Sequence, residues 1–362
     1  MSDEVTPAAK KDRLVRFEHS QSFVPLLQRL GGSILISTYQ AGKLVVVGTD
    51  QQGLALGFYN FDRPMGLAVG PDRLALAARD SVWILRAAPD IASRIEPAGR
   101  FDQLFAARSA AITGDIQAHE AAWVGDQLWV VNTLFSCICT VDAGFSFVPR
   151  WRPPFITGLA AEDRCHLNGM AMADGRPKFV TFLGETVTPR GWRPVKTTGG
   201  CLMDVASGQV VVRGLCMPHS PRVQAGQLWV LDSGRGHLCV ADPSTERTQM
   251  VAALPGYTRG LAFHGGFAFV GLSKIRETST FGGVPVAERR EELKCGLGIV
   301  ELATGRLAAH LEFAEGVDEI FDVQVLPGVR LPKIVGPHPE DDGGQTVWIV
   351  PNSARTGADQ GL

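Results

Sequence analysis

The chain has 362 residues, 45 % of them hydrophobic and 20 % charged, enough for one large all-β domain or two smaller domains with a buried core. Its 35 basic and 37 acidic residues leave a formal net charge of −2 and no basic run, which argues against a nucleic-acid partner, since that contact needs a concentrated positive surface. Residues 1–16 mix both signs of charge without the apolar stretch of a secretory signal, and no apolar run approaches a membrane span, so the expectation is a cytoplasmic protein with no membrane partner.

Residues 1–30 read as a lead-in, polar at first and then able to form a helix over Ser22 to Leu30. From Ser33 the pattern changes to short β-type runs, 34–39, 43–48 and 54–59, separated by Gly, Gln and Asp. A recurring phrase follows. A small-apolar strand, a Gly/Asp turn, a second strand and a third strand occur over 66–85, again over 121–141, and again at 169–182 with its third strand displaced to Gly200–Asp204 by an insertion. Two further copies occupy 222–241 and 260–301, the last with a long insertion at 273–294. Starts at Gly66, Glu120, Gly169, Pro221, Gly260 and Asp322 are 54, 49, 52, 39 and 62 residues apart. That period, with several short strands per unit, predicts an all-β fold, a six-bladed β-propeller, with seven blades as the alternative.

The last unit has an inner strand from Asp322 but no obvious second or third strand, and the three orphan runs of 33–59 can supply them. Pairing the N-terminal strands with the last blade closes the ring and leaves no unpaired sheet edge. The propeller would then span 31–330, followed by a tail over 331–362 with one added strand at Val347 to Val350. The aromatic, proline-stiffened connection Phe145 to Phe155 is expected to pack over a blade edge. Cysteines 137, 139, 165, 201, 216, 239 and 295 are scattered through apolar segments, which suits buried reduced thiols better than a disulfide framework.

In such a ring, the loops leading into the inner strands share one face with the loops joining second and third strands. The first set carries Arg63, Asp115, His119, His166, Asn168, His219, Arg222, Arg259 and Glu319; the second carries Tyr39, Gln40, Asn132 to Ser136, Asp232 to Gly236, and Ser273, Lys274 and Arg276. His119, His166 and His219 stand at nearly the same register of three consecutive blades, and three imidazoles can hold a divalent transition metal (Zn, Fe, Mn or Cu) with positions left for water or substrate. The same histidines can instead be structural or contact a ligand directly. A calcium-type oxygen site would draw on Asn132, Asn168 and Glu319. Asp115, Glu120 and Glu319 are candidates for general base, with Asp322 as a further carboxylate near the metal. Arg63, Arg222 and Arg259, with Asn132, Asn168 and Lys274, are candidates for holding an anionic substrate, against the alternative that each arginine braces a loop through a nearby carboxylate. The chain has no P-loop, Rossmann fingerprint or nucleophile elbow.

The motifs Asn132 to Cys137, Ser146 to Phe155, Glu162 to Met170, Met217 to Arg222, Leu254 to Phe263, Val270 to Arg276 and Glu319 to Gly328 resemble an uncharacterised family of bacterial conserved hypothetical proteins, sometimes found near or fused to tetratricopeptide repeats. The resemblance spans about residues 20–330 and implies a propeller, without an established reaction. The leading expectation is therefore a metal-dependent enzyme acting on a small anionic or peptide-borne substrate at the channel mouth. The alternative is a non-catalytic propeller binding a carboxylated ligand or peptide through its arginines; a scaffold for a protein partner is the third reading.

Overall fold

A computed structural model describes residues 14–275 and 282–350; Arg276 lies outside the described residues. Six sheets, each built on four antiparallel strands, surround a channel. Blade one runs Leu67–Val69, Arg73–Ala77, Ser81–Ala87 and Gln103–Ile112; blade two Ala118–Val124, Gln127–Asn132, Cys137–Thr140 and Val148–Trp151. Blade three is Leu167–Ala173, Arg176–Phe182, Gly200–Asp204 and Val210–Leu215; blade four Pro218–Gln224, Gln227–Asp232, His237–Asp242 and Arg247–Ala253. Blade five is Tyr257–His264, Phe267–Ser273, Gly296–Glu301 and Leu307–Glu315. In blade six the inner strand Asp322–Pro327 pairs with Gly32–Ser37, followed outward by Lys43–Asp50 and Gly53–Asn60, so strands from both ends of the chain close the ring.

Alternation along the strands explains why they are apolar on both faces. In blade six, Ile34, Ile36, Val45 and Val47 pack toward blade five, while Leu35, Leu44 and Val46 pack toward blade one. Successive side chains of a strand point to opposite faces, and each face of a blade meets a neighbour. The same logic puts Ala75 and Val82 against Leu128 and Val130, Val131 and Ile138 against Val180 and Phe182, Leu202 and Val212 against Val230, and Leu231 and Leu238 against Val270 and Leu272. The core is thus six apolar layers between blades. All seven cysteines are free and buried, and burial pushes every thiol above its ordinary pKa.

The two ends of the chain contribute more than the sequence suggests. Arg16–His19 joins the outer edge of blade five, and the helix Phe23–Leu30 buries Phe23, Leu26 and Leu27, an i, i+3, i+4 stripe, before ending at the left-handed Gly31. After the inner strand of blade six, Pro332–Val335 adds in parallel to the outer edge of blade one. This, and not Val347 to Val350, is the added strand; Val347 and Ile349 pack as irregular chain on a small cluster beside it. The stretch 145–155 also differs from expectation, since its residues Val148–Trp151 form the fourth strand of blade two. No helix of the described residues is long and apolar enough to cross a membrane.

Glycines stand where neighbouring inner strands come close. A Cβ at Gly169 of blade three would run into Thr181 and into the Pro221 ring of blade four, and one at Gly66 would stand 2.8 Å from the carbonyl oxygen of His119 in blade two. Replacing Gly169 by alanine is therefore expected to cost about 1–3 kcal/mol of stability through overpacking, seen as a lowered urea midpoint with unchanged slope.

Candidate ligand site at the channel mouth

Four inner strands carry one extra residue at the same place, close to where they enter the channel. Ala118 and Ala121 face Asn132 and Val130, Leu167 and Gly169 face Phe182 and Thr181, His219 and Arg222 face Leu231 and Trp229, and Thr258 and Leu261 face Leu272 and Val270. Such bulges re-aim side chains and end regular pairing. They turn His119 and Glu120, and Arg259 in blade five, toward the axis. In the segments leading into the inner strands of blades one to four the backbone is left-handed at residues with a Cβ: φ is 47° at Arg63, 54° at Gln117, 49° at Asp163, 52° at His166 and 50° at Met217. These are uncommon conformations for non-glycine residues, and they cluster around one pocket.

That pocket has a volume of about 420 Å³ and is lined by His119, His166 and His219 together with arginines, carboxylates and the rings of Tyr39, Trp192 and Phe321. The rings of His119 and His166 are 5.0 Å apart edge to face, and those of His119 and His219 are 6.3 Å apart. All three histidines are anchored through Nδ1. His119 Nδ1 lies 3.0 Å from the carbonyl oxygen of Gln117 and 2.7 Å from Thr133 Oγ1, whose own proton goes to the Leu167 carbonyl. His219 Nδ1 lies 2.9 Å from the Met217 carbonyl oxygen and 3.2 Å from Ser233 Oγ. His166 Nδ1 is 2.9 Å from Asp163 Oδ1. A carbonyl or carboxylate oxygen only accepts, so the proton sits on Nδ1, and the Nε2 atoms make no hydrogen bond among the described residues. Burial first, then the Arg259 charge and the neighbouring imidazoles, hold His119 and His219 well below the usual histidine pKa, so both are neutral at physiological pH. As the side chains stand, the described residues contain no group of three or more His, Cys, Asp or Glu that could hold a metal ion.

Asp115 and Glu319 also line the pocket, Asp115 exposed and Glu319 half-buried, 3.2 Å from Arg259 Nη1. Arg259 is buried with its guanidinium 3.5 Å from the centre of the Phe321 ring, and burial lowers its pKa. Arg63 lies at the pocket edge, 6.0 Å from the Tyr39 ring centre.

Other candidates from the sequence do not reach this pocket. Arg222 turns down the channel, where it donates to Glu120 and to the Leu261 carbonyl and stands 3.9 Å from Asp322. Glu120 accepts from the backbone N–H of Met170, and Asp322 from that of Leu67. Burial pushes both carboxyls above their ordinary range while the Arg222 charge pulls them back. Arg222 and Glu120 thus pair with each other beneath the funnel, the bracing alternative for that arginine. Asn168 accepts from Thr181 and Asn132 from the Phe135 N–H, both fully inside the strand layers, and Lys274 is held by its backbone to Asp318 outside the pocket lining.

Four contributors were not visible as site residues in the sequence. Trp192, buried in the blade-three insertion, packs 4.5 Å from the His166 ring and donates from Nε1 to Asp163 Oδ2 at 3.0 Å. Asp163 therefore holds ring and roof together; its adjacency to His166 was the available signal. Arg190 and Arg193 line the pocket from the same insertion.

The fold is that of a six-bladed propeller. The chain belongs to the family described as domain of unknown function DUF4915, whose sequence profile matches residues 21–335. No curated protein sequence matches it significantly. Among solved structures it is similar to a chain of a nidogen/laminin complex, at 10 % identity and a TM-score of 0.50, covering 82 % of this chain and 99 % of that one. It is also similar to a protein of unknown function from Bacteroides caccae, at 9 % identity and a TM-score of 0.49, with the same coverage of 82 % and 99 %. At such identities the likeness is one of fold.

Two substitutions probe this arrangement. Arg222→Met leaves Glu120 and Asp322 buried without their cation and is expected to destabilise the protein by about 3–5 kcal/mol, measured by urea unfolding. Trp192→Phe keeps a ring beside His166 but removes the donor to Asp163, with an expected loss of about 1–2 kcal/mol.

Proposed function

We propose that the funnel is the active site of a cytoplasmic, metal-dependent enzyme that acts on a small anionic or peptide-borne substrate. The observation that carries this reading is the common anchoring of His119, His166 and His219. Each Nδ1 is tied back to an acceptor, which fixes the tautomer and turns the Nε2 lone pair into a ligand; metal-binding histidines are oriented in this way. An imidazole set of this kind suits Zn, Fe, Mn or Cu. When bound, the ion would act as a Lewis acid or activate water or oxygen.

The chain's own residues then divide the work. Of the three lining carboxylates, Asp163 is hydrogen-bonded to His166 and Trp192, and Asp115 and Glu319 are the candidates for moving a proton. Glu120 is committed to Arg222 and keeps the floor of the site in place. Free, buried thiols throughout the blades support a reducing compartment. A second reading is favoured by the arginines of the lining: the same funnel would bind a carboxylated ligand or peptide without catalysis.

Metal analysis of protein purified without chelator or a polyhistidine tag separates the two. Near-stoichiometric transition metal is expected in the wild type and a loss of it in His166→Ala. In Asp163→Asn, the weakened support of His166 should lower metal affinity by about 10–100-fold. A wild-type protein that carries no metal and takes up none of the four when they are added sinks the metal reading.

A further inference from the structure

Five arginines line the funnel, Arg63, Arg79, Arg190, Arg193 and Arg259, against three carboxylates, Asp115, Asp163 and Glu319. Two of the five are already engaged. Arg79 pairs with Asp62 at 3.0 Å, and Arg259 with Glu319 at 3.2 Å. Arg63, Arg190 and Arg193 are exposed and make no ion pair among the described residues. Two of these three guanidinium groups lie close to a ring of the same funnel, Arg63 at 6.0 Å from the centre of Tyr39 and Arg193 at 5.7 Å from that of Trp192. An aromatic neighbour limits where a guanidinium can go and leaves its in-plane N–H forks to meet a carboxylate.

Their placement is two-sided. Arg63 precedes the inner strand of blade one, whereas Arg190 and Arg193 belong to the insertion between the second and third strands of blade three. His119, on blade two, lies between them, and the buried Arg259 adds positive charge at depth. A ligand with one anionic group satisfies one side and leaves the other cationic side facing the same cavity. We infer that the funnel takes a dicarboxylate, one end held at Arg63 and the other at Arg190 and Arg193, with the span between the two ends lying over the histidines. This rests on the funnel being the ligand site proposed above, but not on the presence of an ion.

The test is calorimetric titration of the untagged protein with glutarate, succinate, butyrate and inorganic phosphate, with metal content measured on the same samples. Each well-placed guanidinium–carboxylate contact is worth about tenfold or more in affinity. A dicarboxylate is therefore expected to bind at least about tenfold more tightly than butyrate, and both Arg63→Gln and the double variant Arg190→Gln/Arg193→Gln should cut that advantage to less than about threefold. All of these side chains are exposed, so an unchanged unfolding midpoint is expected to accompany the loss. An advantage under about threefold in the wild type, or one that survives both variants, overturns the inference. So does phosphate binding more tightly than either dicarboxylate, or no binding of any probe. The two proposals fail separately: arginine-dependent glutarate binding by a protein that takes no metal keeps this one and removes the ion. Metal-loaded protein that treats glutarate and butyrate alike does the reverse.

Discussion

Six blades of similar strands pressed together through apolar layers have a registration problem. Hydrophobic contact is non-directional, so it favours a ring without fixing how far each blade stands along the axis. The Glu120–Arg222–Asp322 network supplies direction. Glu120 of blade two accepts from the Met170 N–H of blade three, Arg222 of blade four donates to the Leu261 carbonyl of blade five, and Asp322 of blade six accepts from the Leu67 N–H of blade one. Three side chains therefore engage all six inner strands. A buried ion cluster adds little net stability over an apolar replacement, because desolvation offsets attraction, but losing one member is severe. Its physical contribution is accordingly positional. It holds the inner strands in one mutual register, and a funnel built from several strands depends on that register.

Above the network the inner strands stop being regular. The extra residue in each of four blades, and the left-handed backbone at Gln117, Asp163, His166 and Met217, cost conformational energy that the packed blades below them can sustain. The two deeper histidines are set by the same device. In each, a left-handed residue two positions earlier offers its carbonyl oxygen to the imidazole Nδ1, Gln117 to His119 and Met217 to His219. His166 departs from it, since it is itself left-handed and is held by a carboxylate. The likeness between blades two and four, and the exception in blade three, locate the site's asymmetry at the insertion that brings Trp192.

Much of the ring was legible in the sequence because it rests on local pattern. The period of the inner-strand starts, the Gly/Asp turns and the orphan strands of 33–59 led to six blades closed by both termini, and that is the architecture. The shared register of His119, His166 and His219 was legible for the same reason, and it brought these rings to one pocket. What could not be read was the choice among non-local partners. Arg222 and Arg259 are both inner-strand arginines but do not share a register: Arg222 lies beyond the bulge, opposite Trp229, and reaches the Glu120 carboxylate, while Arg259 lies within the bulge of blade five, beside Glu319 and Phe321. Glu120 follows His119 directly in the chain, and only the bulge decides that one faces the funnel and the other its floor. Trp192 lies in an insertion with no periodicity, so its place over His166 had no signature. The edge strands Arg16–His19 and Pro332–Val335 are only four residues long and carry no alternating pattern of their own, so pairing alone makes them strands.

The electrostatics of the funnel also restrict what its histidines can do. His119 and His219 are buried beside a buried guanidinium, and burial, reinforced by Arg259, disfavours the imidazolium. Neither suits the role of a proton donor near neutral pH. What remains to them is the Nε2 lone pair, offered to an ion or to a hydrogen-bond donor on a ligand. The carboxylates of the lining differ in their engagement: Asp115 is exposed, Glu319 stands 3.2 Å from Arg259, and Asp163 is hydrogen-bonded to His166 and Trp192. His166 differs in kind, because the carboxylate that orients it also receives the Trp192 Nε1 proton. The Trp192 indole also packs against the His166 ring, 4.5 Å between ring centres. One carboxylate, Asp163, thus ties the His166 ring to the Trp192 indole of the blade-three insertion.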